Sequence, residues 1–230
     1  MRKHLKPTSR KYISTFLCLV LIGCMAVDAV AMPCCEAPKP PATDTADNIA
    51  DGLKYSQSKE YEQAMDSALA RAHEVCEKHQ GEPRVAIVSD IDETLLDNRP
   101  FYGKHANDFS FPEFFQWMQK SEAPVLPKTA ELLAWARNNG YAIFLVTGRN
   151  ESMRAATIVN LVKNKVAYDG LFMRKNDDNG LAEDFKANAR KQIEDSGFNI
   201  VVNIGDQLSD LYGGHADECI KLPNQMYYIP

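Results

Sequence analysis

The sequence predicts an α/β protein built on a doubly wound parallel β-sheet. Short apolar segments alternate along the chain with longer segments in which apolar residues recur at helical spacing. Three of the short segments are nearly continuous apolar runs, at Val85–Val88, Ala142–Val146 and Ile200–Val202. Such runs are typical of strands buried on both faces, and strands that alternate with helices form parallel sheets covered on both sides.

An N-terminal helical extension is predicted over residues 48–83, ahead of the first strand. Gly81 and Pro83 end its helical pattern. The first strand is predicted at 84–89, and a short helix with proline at its start at 112–119. The apolar residues of the extension recur every three or four positions, as on one face of a helix: Tyr61, Met65, Ala68, Ala72 and Val75.

The rest of the chain continues the alternation of helices and strands. Gly140 and Gly197 each end a predicted helix, and Asn150 is the predicted N-terminal cap of another. In an open sheet of this kind, ligands bind beyond the carboxyl ends of the strands. The predicted elements are a helix at 128–139, a strand at 141–146, a helix at 151–164, a strand at 171–174, a helix at 183–196, and strands at 199–204 and 219–222.

The composition excludes several classes of protein. The chain has 230 residues, of which 45% are hydrophobic and 25% charged, as in ordinary globular proteins. Its formal net charge of −5 argues against a basic nucleic-acid-binding protein, so we expect no nucleic-acid partner. The five histidines are scattered and predict no zinc site, and the sequence contains no serine-hydrolase elbow.

The first 31 residues have the layout of a secretory signal. Basic residues come first, followed by an apolar run over 12–27, which is short for a membrane span of about 20 apolar residues. Three alternatives stay open: cleavage after Ala31, lipid attachment at Cys24 within a lipobox-like sequence, and an uncleaved anchor. Residues 32–47, rich in Pro, Ala and Thr, form a predicted linker. We expect an exported protein, periplasmic or secreted, or held at a membrane as a lipoprotein.

Four cysteines remain after cleavage at Ala31, and an exported chain can join cysteines in disulfides. Adjacent cysteines rarely bridge, which disfavours a bond between Cys34 and Cys35. For Cys76 and Cys219 two alternatives stay open, namely a bridge from the first helix to the C-terminal end and two buried free thiols.

Acidic and hydroxyl residues follow three of the predicted strands. Asp90 and Asp92 come after the first strand, Thr147 after the second, and Asp206 and Asp210 after the last long one. Each residue alone is a common turn or cap residue. Acids that converge from separate strands repel one another, and a divalent cation among them relieves that repulsion. Their joint occurrence therefore predicts a metal site at this edge of the sheet.

The motifs that contain these residues resemble those of a known enzyme family. Asp90-x-Asp92-x-Thr94, a strand ending in Thr147, a helix lysine and Gly205-Asp206-x-x-x-Asp210 are similar to four motifs of the haloacid dehalogenase (HAD) superfamily. The flanking residues and the end of the chain over 221–230 resemble its acid phosphatase subfamily, which includes exported bacterial acid phosphatases and plant vegetative storage proteins. The resemblance covers residues 48–230 and implies a HAD-like, Rossmann-like domain over 84–230.

The resemblance implies roles for the acids. Asp90 would be the nucleophile that forms an aspartyl-phosphate, and Asp92 the acid that protonates the leaving alcohol and later activates water. A Mg²⁺ ion would be held by the carboxylates of Asp90 and Asp206 and by the backbone carbonyl of Asp92. Asp210 would bind the same ion or orient its waters. The metal-independent dehalogenases of the superfamily lack the second aspartate, so Asp92 favours phosphoryl chemistry.

The resemblance also implies phosphate-binding residues. Thr147, next to Gly148, would donate a hydrogen bond to a phosphoryl oxygen, and Arg149 would either contact the phosphate or brace the acidic loop. Lys186 lies where the family has its motif lysine, and would pair with Asp90 and with the transferred group. Its rivals in the sequence are Lys163, Lys165 and Lys175.

A short insertion over 99–124 is the predicted cap of the site. It contains seven aromatic residues, of which we expect at least four to pack the cap on the core. Phe101, Tyr102 and Trp117 are the candidates for contact with substrate. So short a cap predicts a partly open site.

The expected function is hydrolysis of small phosphate monoesters, such as a nucleotide, an aryl phosphate or a sugar phosphate, by an exported Mg²⁺-dependent acid phosphatase. Two alternatives stay open: a phosphotransferase that uses the same intermediate, and a storage or binding protein on the same scaffold. The presence of Asp90 argues against a storage or binding protein, because some plant storage proteins of the family have another residue in place of this nucleophile.

Overall fold

The structure, a computed structural model, describes residues 49–229. The predicted signal segment, the lipidation site at Cys24, the cleavage site at Ala31 and the linker over 32–47 lie outside the described residues. Among the described residues, no helix combines the length and the apolar character that crossing a membrane requires.

The described chain is built on a five-stranded parallel β-sheet. The strands are β1 (Val85–Ser89), β2 (Ala142–Asn150), β3 (Gly170–Arg174), β4 (Asn199–Gly205) and β5 (Glu218–Lys221). They lie in the order β3-β2-β1-β4-β5, and each neighbouring pair is parallel. The chain winds from the central β1 to one edge and then to the other, so the strand order reverses beside β1. This confirms the predicted doubly wound α/β fold.

Helices cover both faces of the sheet. They are α1 (Ile49–Tyr55), α2 (Lys59–Lys78), α3 (Arg99–Tyr102), α4 (Phe111–Lys120), α5 (Pro127–Asn138), α6 (Arg154–Lys163) and α7 (Ala182–Asp195). Helices α2, α5 and α6 pack on the face that includes Ile87 and Leu145, whereas α7 packs on the face that includes Val88 and Val146. Successive strand residues thus enter opposite cores, which explains the nearly continuous apolar runs.

The N-terminal extension is helical, but it contains two helices where the pattern ahead of Gly81 indicates a single one. Helix α1 ends at Tyr55 and α2 begins at Lys59. Ser58 has extended backbone, and its hydroxyl oxygen accepts a hydrogen bond from the backbone N–H of Tyr61 (3.1 Å), as in an N-terminal cap. The apolar repeat that predicts the helix begins only at Tyr61, so it does not predict the break between α1 and α2.

The region after β2 also differs from the prediction. Strand β2 continues beyond 146 to Asn150, and Glu151–Met153 form a 3₁₀ turn ahead of α6. The predicted capping role of Asn150 is wrong, because its side-chain oxygen accepts the Ser152 hydroxyl (2.5 Å) rather than a backbone N–H of the helix. Helix α3 has no counterpart among the predicted elements, since four residues are too few to show a helical repeat.

Cys76 is a buried free thiol in the core between α2 and the sheet. Cys219, on β5, is in a disulfide. The alternative of a Cys76–Cys219 bridge is therefore wrong, and so is the alternative of two free thiols. Burial raises the pKa of the Cys76 thiol to about 12, which keeps this group neutral.

The segment after β5, residues 222–229, is called here the C-terminal tail. It packs against α1 so closely that a Cβ on Gly52 would lie 2.5 Å from the backbone of Met226. Met226 also joins a small separate core with Ile49, Phe101 and Tyr102. The tail therefore connects the N-terminal extension with the segment that follows the first acidic loop.

Candidate active site

The loop after β1 contains the first acidic motif. The backbone N–H of Asp90 donates to the Ile204 carbonyl of β4 (2.9 Å), so the loop starts at the carboxyl ends of two neighbouring strands. The N–H groups of Leu95 and Leu96 both donate to the carbonyl of Ile91, which closes a tight turn. Within that turn, Glu93 has a φ of 54°, a strained left-handed conformation of the kind that persists where its surroundings enforce it.

Three aspartates form a buried carboxylate cluster at this edge of the sheet. One carboxylate oxygen from each of Asp90, Asp206 and Asp210 lies within 4.8 Å of the other two. All three residues are at most 6% exposed. Gly205 is required for the approach of Asp210, because a Cβ at position 205 would lie 2.3 Å from the Cβ of that aspartate.

Lys186, on α7, lies between two of these carboxylates. Its ammonium donates to Asp90 Oδ1 (2.6 Å) and to Asp210 Oδ1. Burial lowers the pKa of Lys186, but the two carboxylates outweigh burial and hold the pKa above its ordinary value. Lys186 is 6% exposed. The lysines that the sequence leaves as its rivals are all exposed: Lys163, Lys165 and Lys175.

Both carboxylate oxygens of Asp210 accept hydrogen bonds from the protein. Oδ1 accepts from Lys186, and Oδ2 accepts from the backbone N–H of Gln207 (2.8 Å). Arg190 is fully buried and donates to three carbonyl oxygens of the turn over 210–214. The two predicted roles of Asp210, binding the ion and orienting its waters, both stay predictions.

Asp206 is oriented by three side-chain donors. The Thr94 hydroxyl donates to Oδ1 (3.1 Å), and the amides of Gln207 and Asn224 donate to Oδ2 (2.7 Å each). Burial and the charge of Asp210 raise the pKa of Asp206 to about 6, although the two amides oppose the shift. Above that pH, Asp206 is a carboxylate of fixed orientation.

The cluster holds more negative charge than Lys186 neutralises. Burial raises the pKa of Asp90 well above its ordinary value; Lys186 opposes this shift, while Asp210 and Asp206 add to it. Carboxylate oxygens are the ligands that small divalent cations prefer, and a doubly charged ion would remove the excess charge. The residues present therefore fit a divalent ion, with Asp90 and Asp206 as the carboxylate ligands.

Asp92 has a different partner from Asp90. Arg149 makes a two-point pair with it, from Nη2 to Oδ1 (2.6 Å) and from Nε to Oδ2 (2.9 Å), and the amide of Asn98 also donates to Oδ1 (2.8 Å). Burial raises the pKa of Asp92, but Arg149 and Asn98 outweigh burial and hold the pKa below its ordinary value. Arg149 has two predicted roles, and the contact with Asp92 is the one expected if this arginine braces the acidic loop. Ligation through the Asp92 carbonyl stays a prediction.

Thr147 and Gly148 lie at the end of β2, beside the acidic loop. Thr147 is fully buried, and its hydroxyl oxygen accepts the backbone N–H of Arg149 (3.2 Å). A hydroxyl that accepts this bond can still donate one. Gly148 is exposed, with no heavy atom within 4 Å of the position that a Cβ would occupy, so its backbone is open to an approaching anion.

The predicted cap contains α3 and α4, and its aromatic residues differ in their exposure. Phe101 and Tyr102 are 4% and 3% exposed, because their rings pack in the small core beside the C-terminal tail. Their predicted contact with substrate stays a prediction. Trp117 is half-buried, and its indole N–H donates to Asn98 Oδ1 (2.9 Å). The exposed aromatic residues of α4 are Phe111 and Phe115.

Sequence reasoning misses four residues that hold the site together: Glu93, Asn98, Asn224 and Tyr227. The buried Glu93 accepts hydrogen bonds from the backbone N–H of Asn98 (3.0 Å) and from the Tyr227 hydroxyl. Burial raises the pKa of Glu93 well above its ordinary value. A signal exists for each residue, since Glu93 and Asn98 lie within the first motif and the other two lie in the tail that resembles the plant relatives. Their roles depend on contacts that spacing does not reveal.

Comparison with solved structures shows the fold class of this chain. The crystal structure of class C acid phosphatase from Bacillus anthracis with tungstate bound matches with a TM-score of 0.65 and 22% identity, covering 79% of this chain and 86% of that one. A second structure of the Bacillus anthracis enzyme matches with a TM-score of 0.66 and 21% identity over the same shares. At these identities the likeness shows the fold, an α/β domain on a parallel sheet.

Sequence comparisons then identify the family. The family model for HAD superfamily, subfamily IIIB (Acid phosphatase) matches residues 34–230, and the chain belongs to this family. It is 40% identical over 149 residues to Acid phosphatase 1 of Solanum lycopersicum, covering 62% of this chain and 58% of that protein. It is 32% identical over 184 residues to the stem 28 kDa glycoprotein of Glycine max, covering 76% and 72%. The predicted resemblance is confirmed, and the chain matches little more than half the length of the tomato relative.

Proposed function

We propose that the protein is a Mg²⁺-dependent acid phosphatase that hydrolyses phosphate monoesters through an aspartyl-phosphate on Asp90. The observation that carries this proposal is the contact of Lys186 with Asp90 beside the carboxylate of Asp206, in a chain of the acid phosphatase subfamily. A nucleophile, a fixed positive charge and a ligand for a divalent ion thus meet at one point. Phosphoryl transfer depends mainly on such positioning and charge neutralisation.

In the first half-reaction, a carboxylate oxygen of Asp90 attacks phosphorus, and the bond from phosphorus to the alcohol oxygen breaks. Asp92 gives its proton to that oxygen as the alcohol leaves. Lys186 lies 2.6 Å from Asp90, so its charge also acts on the phosphoryl group that Asp90 receives. The Thr147 hydroxyl and the Gly148 N–H donate hydrogen bonds to the phosphoryl oxygens.

In the second half-reaction, Asp92 acts as a base. It takes a proton from water while the water oxygen bonds to phosphorus and the bond from phosphorus to Asp90 breaks. Phosphate is released and Asp90 is restored. Arg149 favours the carboxylate form of Asp92, which this step needs. The first step needs the protonated form, which becomes more abundant as the pH falls; the lowered pKa of Asp92 moves this range to lower pH.

A divalent ion fits beside Asp90 and Asp206, and the backbone carbonyl of Asp92 is a further proposed ligand. When bound, Mg²⁺ supplies positive charge that offsets the repulsion between the phosphoryl group and the attacking carboxylate. The amides of Gln207 and Asn224 keep Asp206 oriented for this purpose.

We propose that the substrates are small monoesters, of a nucleotide, an aryl alcohol or a sugar, and that the protein acts after export, free or lipid-anchored. The short cap supports small and varied substrates, since α3 and α4 are its only helices. The net charge of the chain is negative, so Lys186 and the bound ion must attract the substrate locally.

The test is phosphate release from 4-nitrophenyl phosphate at about pH 5–6, where a carboxylic acid can still donate a proton. We expect activity with Mg²⁺, its suppression by a chelator, and a loss of about 10⁴-fold or more in Asp90→Asn. Asp195→Asn, at an exposed aspartate of α7, is the matched control. Acid-quenched protein should show phosphate bound to Asp90 by mass spectrometry.

Each other result excludes part of the proposal. Activity that survives chelation excludes the metal, and activity that survives Asp90→Asn excludes the covalent intermediate. If the unsubstituted protein releases no phosphate, the proposal fails and a storage or binding protein on the same scaffold becomes the better interpretation. A phosphorylated product formed with added alcohol identifies a phosphotransferase.

A further inference from the structure

Asn98 is a fully buried amide between the cap and Asp92. Its Nδ2 donates to Asp92 Oδ1 (2.8 Å), and its Oδ1 accepts the indole N–H of Trp117 (2.9 Å). Its backbone N–H donates to the carboxylate of Glu93 (3.0 Å). Both ends of this side chain and its backbone are therefore held in place.

Trp117 determines which way the amide of Asn98 faces. An indole nitrogen only donates, so the atom of Asn98 that it meets must be the oxygen. The NH₂ group then faces the carboxylate of Asp92 and donates to it. In the flipped amide, two donors would face each other and an oxygen would face a carboxylate, so both contacts would be repulsive.

These contacts give the two oxygens of Asp92 different surroundings. Among the described residues, Oδ1 accepts hydrogen bonds from both Arg149 and Asn98, whereas Oδ2 accepts one from Arg149. The oxygen with fewer donors is the one better able to carry a proton. Asn98 thus leaves Oδ2 as the oxygen that is better able to hold the proton.

Trp117 brings the cap into this arrangement. Every residue of α4 is at least partly exposed, so the helix lies on the surface of the domain. Its indole nevertheless reaches the amide that contacts Asp92. Asn98 thereby connects Trp117 of the cap with Asp92.

We propose that Asn98 is a positioning residue that fixes Asp92 for proton donation, and that Trp117 of the cap sets the orientation of Asn98. The inference rests on the proposed function, in which Asp92 protonates the leaving alcohol. Both residues act through Asp92, so this role of Trp117 is separate from its predicted contact with substrate.

The consequence depends on the leaving group. An alkoxide leaves poorly without a proton, whereas 4-nitrophenolate leaves readily as the anion, so general-acid catalysis matters mainly for the first. A misoriented Asp92 therefore lowers kcat/KM for an alkyl phosphate more than for 4-nitrophenyl phosphate. A general disturbance of the fold lowers both values alike.

The test measures kcat/KM on glycerol phosphate and on 4-nitrophenyl phosphate for Trp117→Phe and Asn98→Ala. Phenylalanine keeps an aromatic ring but has no N–H, and we expect it to lose about tenfold on glycerol phosphate, as for one hydrogen bond. Asn98→Ala should lose about 100-fold on this substrate, and both variants less than about threefold on 4-nitrophenyl phosphate. Trp135→Phe, at the other tryptophan, is the matched control and should change neither value.

Equal losses on the two substrates, or no loss, would overturn the inference. If Asn98→Ala does not fold, Trp117→Phe decides alone. Asp92→Asn separates this inference from the proposed function, because it removes the proton donor itself. If Asp92→Asn is selective against glycerol phosphate and the other variants are not, only the positioning inference fails. If Asp92→Asn is not selective, the proton-donor role fails and the inference with it.

Discussion

Asp90 and Asp92 lie in the same loop, yet their electrostatic surroundings are opposite. Asp90 is buried and shares a single ammonium, that of Lys186, with Asp210. Asp92 has a side chain that is 20% exposed and a guanidinium, that of Arg149, on both of its oxygens. Burial raises the pKa of Asp90 well above its ordinary value, whereas the arginine holds the pKa of Asp92 below it.

The difference shows that the positively charged side chains beside Asp90 and Asp92 determine the different chemical roles of the two acids, and that the Asp-x-Asp spacing does not. On the Asp90 side, three carboxylates lie close together and Lys186 contacts two of them, so the remaining negative charge attracts a cation. On the Asp92 side, one arginine balances one carboxylate, so this acid needs no metal charge and is available to exchange protons. Three substitutions sharpen or break this comparison.

The largest effect is expected on the Asp90 side, in Lys186→Met. The change leaves two buried carboxylates without their ammonium, so kcat/KM should fall about 10³-fold as a charge at the transferred group is lost. The free energy of unfolding should fall by about 3 kcal/mol, as when one partner of a buried ion pair is removed. Steady-state kinetics and urea unfolding measure the two losses. Lys175→Met, at an exposed lysine, is the control, and a fully active Lys186→Met protein would contradict the assignment.

On the Asp92 side, Arg149→Met should change the pH profile. Without the guanidinium, burial dominates and the pKa of Asp92 rises, by about one to three units. The first half-reaction needs protonated Asp92, and a higher pKa preserves that form to higher pH. The basic limb of the kcat/KM profile on glycerol phosphate should therefore move to higher pH. Arg137→Met, at an exposed arginine of α5, should leave the limb in place, and a limb that moves to lower pH would refute the comparison.

The smallest effect is expected in Asn224→Ala, which removes one amide from Asp206. That amide opposes the rise in the pKa of Asp206, so its loss lets a proton compete with the metal at higher pH. Mg²⁺ affinity should fall about tenfold near pH 6, as for other residues that orient a metal ligand, and less at pH 8. Isothermal titration with Mg²⁺ measures both values. Gln225→Ala, at the exposed neighbour, is the control, and an equal loss at the two pH values would exclude the proton competition.

The sheet and the acidic loops can be predicted from the sequence because both depend on residues that are neighbours in the chain. A strand buried on two faces shows as an apolar run, as at Val85–Val88. The acids follow their strands directly, and a parallel sheet brings the carboxyl ends of its strands to one edge. Asp90 and Asp206 therefore meet where the sequence predicts.

The remaining features depend on contacts between distant parts of the chain. Tyr227 donates to Glu93 across 134 positions, and no spacing indicates that pairing. Phe101 and Tyr102 are buried in one small core with Met226 of the C-terminal tail. Their aromatic character alone does not indicate whether they pack in a core or contact substrate. Hydrophobic patterns report that a residue is buried but not which residue covers it.

The contacts of the C-terminal tail mean that the acids of the site are translated before the groups that align them. Asn224 orients Asp206, and Tyr227 holds Glu93 beside Asp92. A ribosome that has passed Asp210 has already made every acid of the site, while the groups that align two of them are still to come. Removal of the C-terminal tail would therefore disturb the chemistry before it disturbed the sheet.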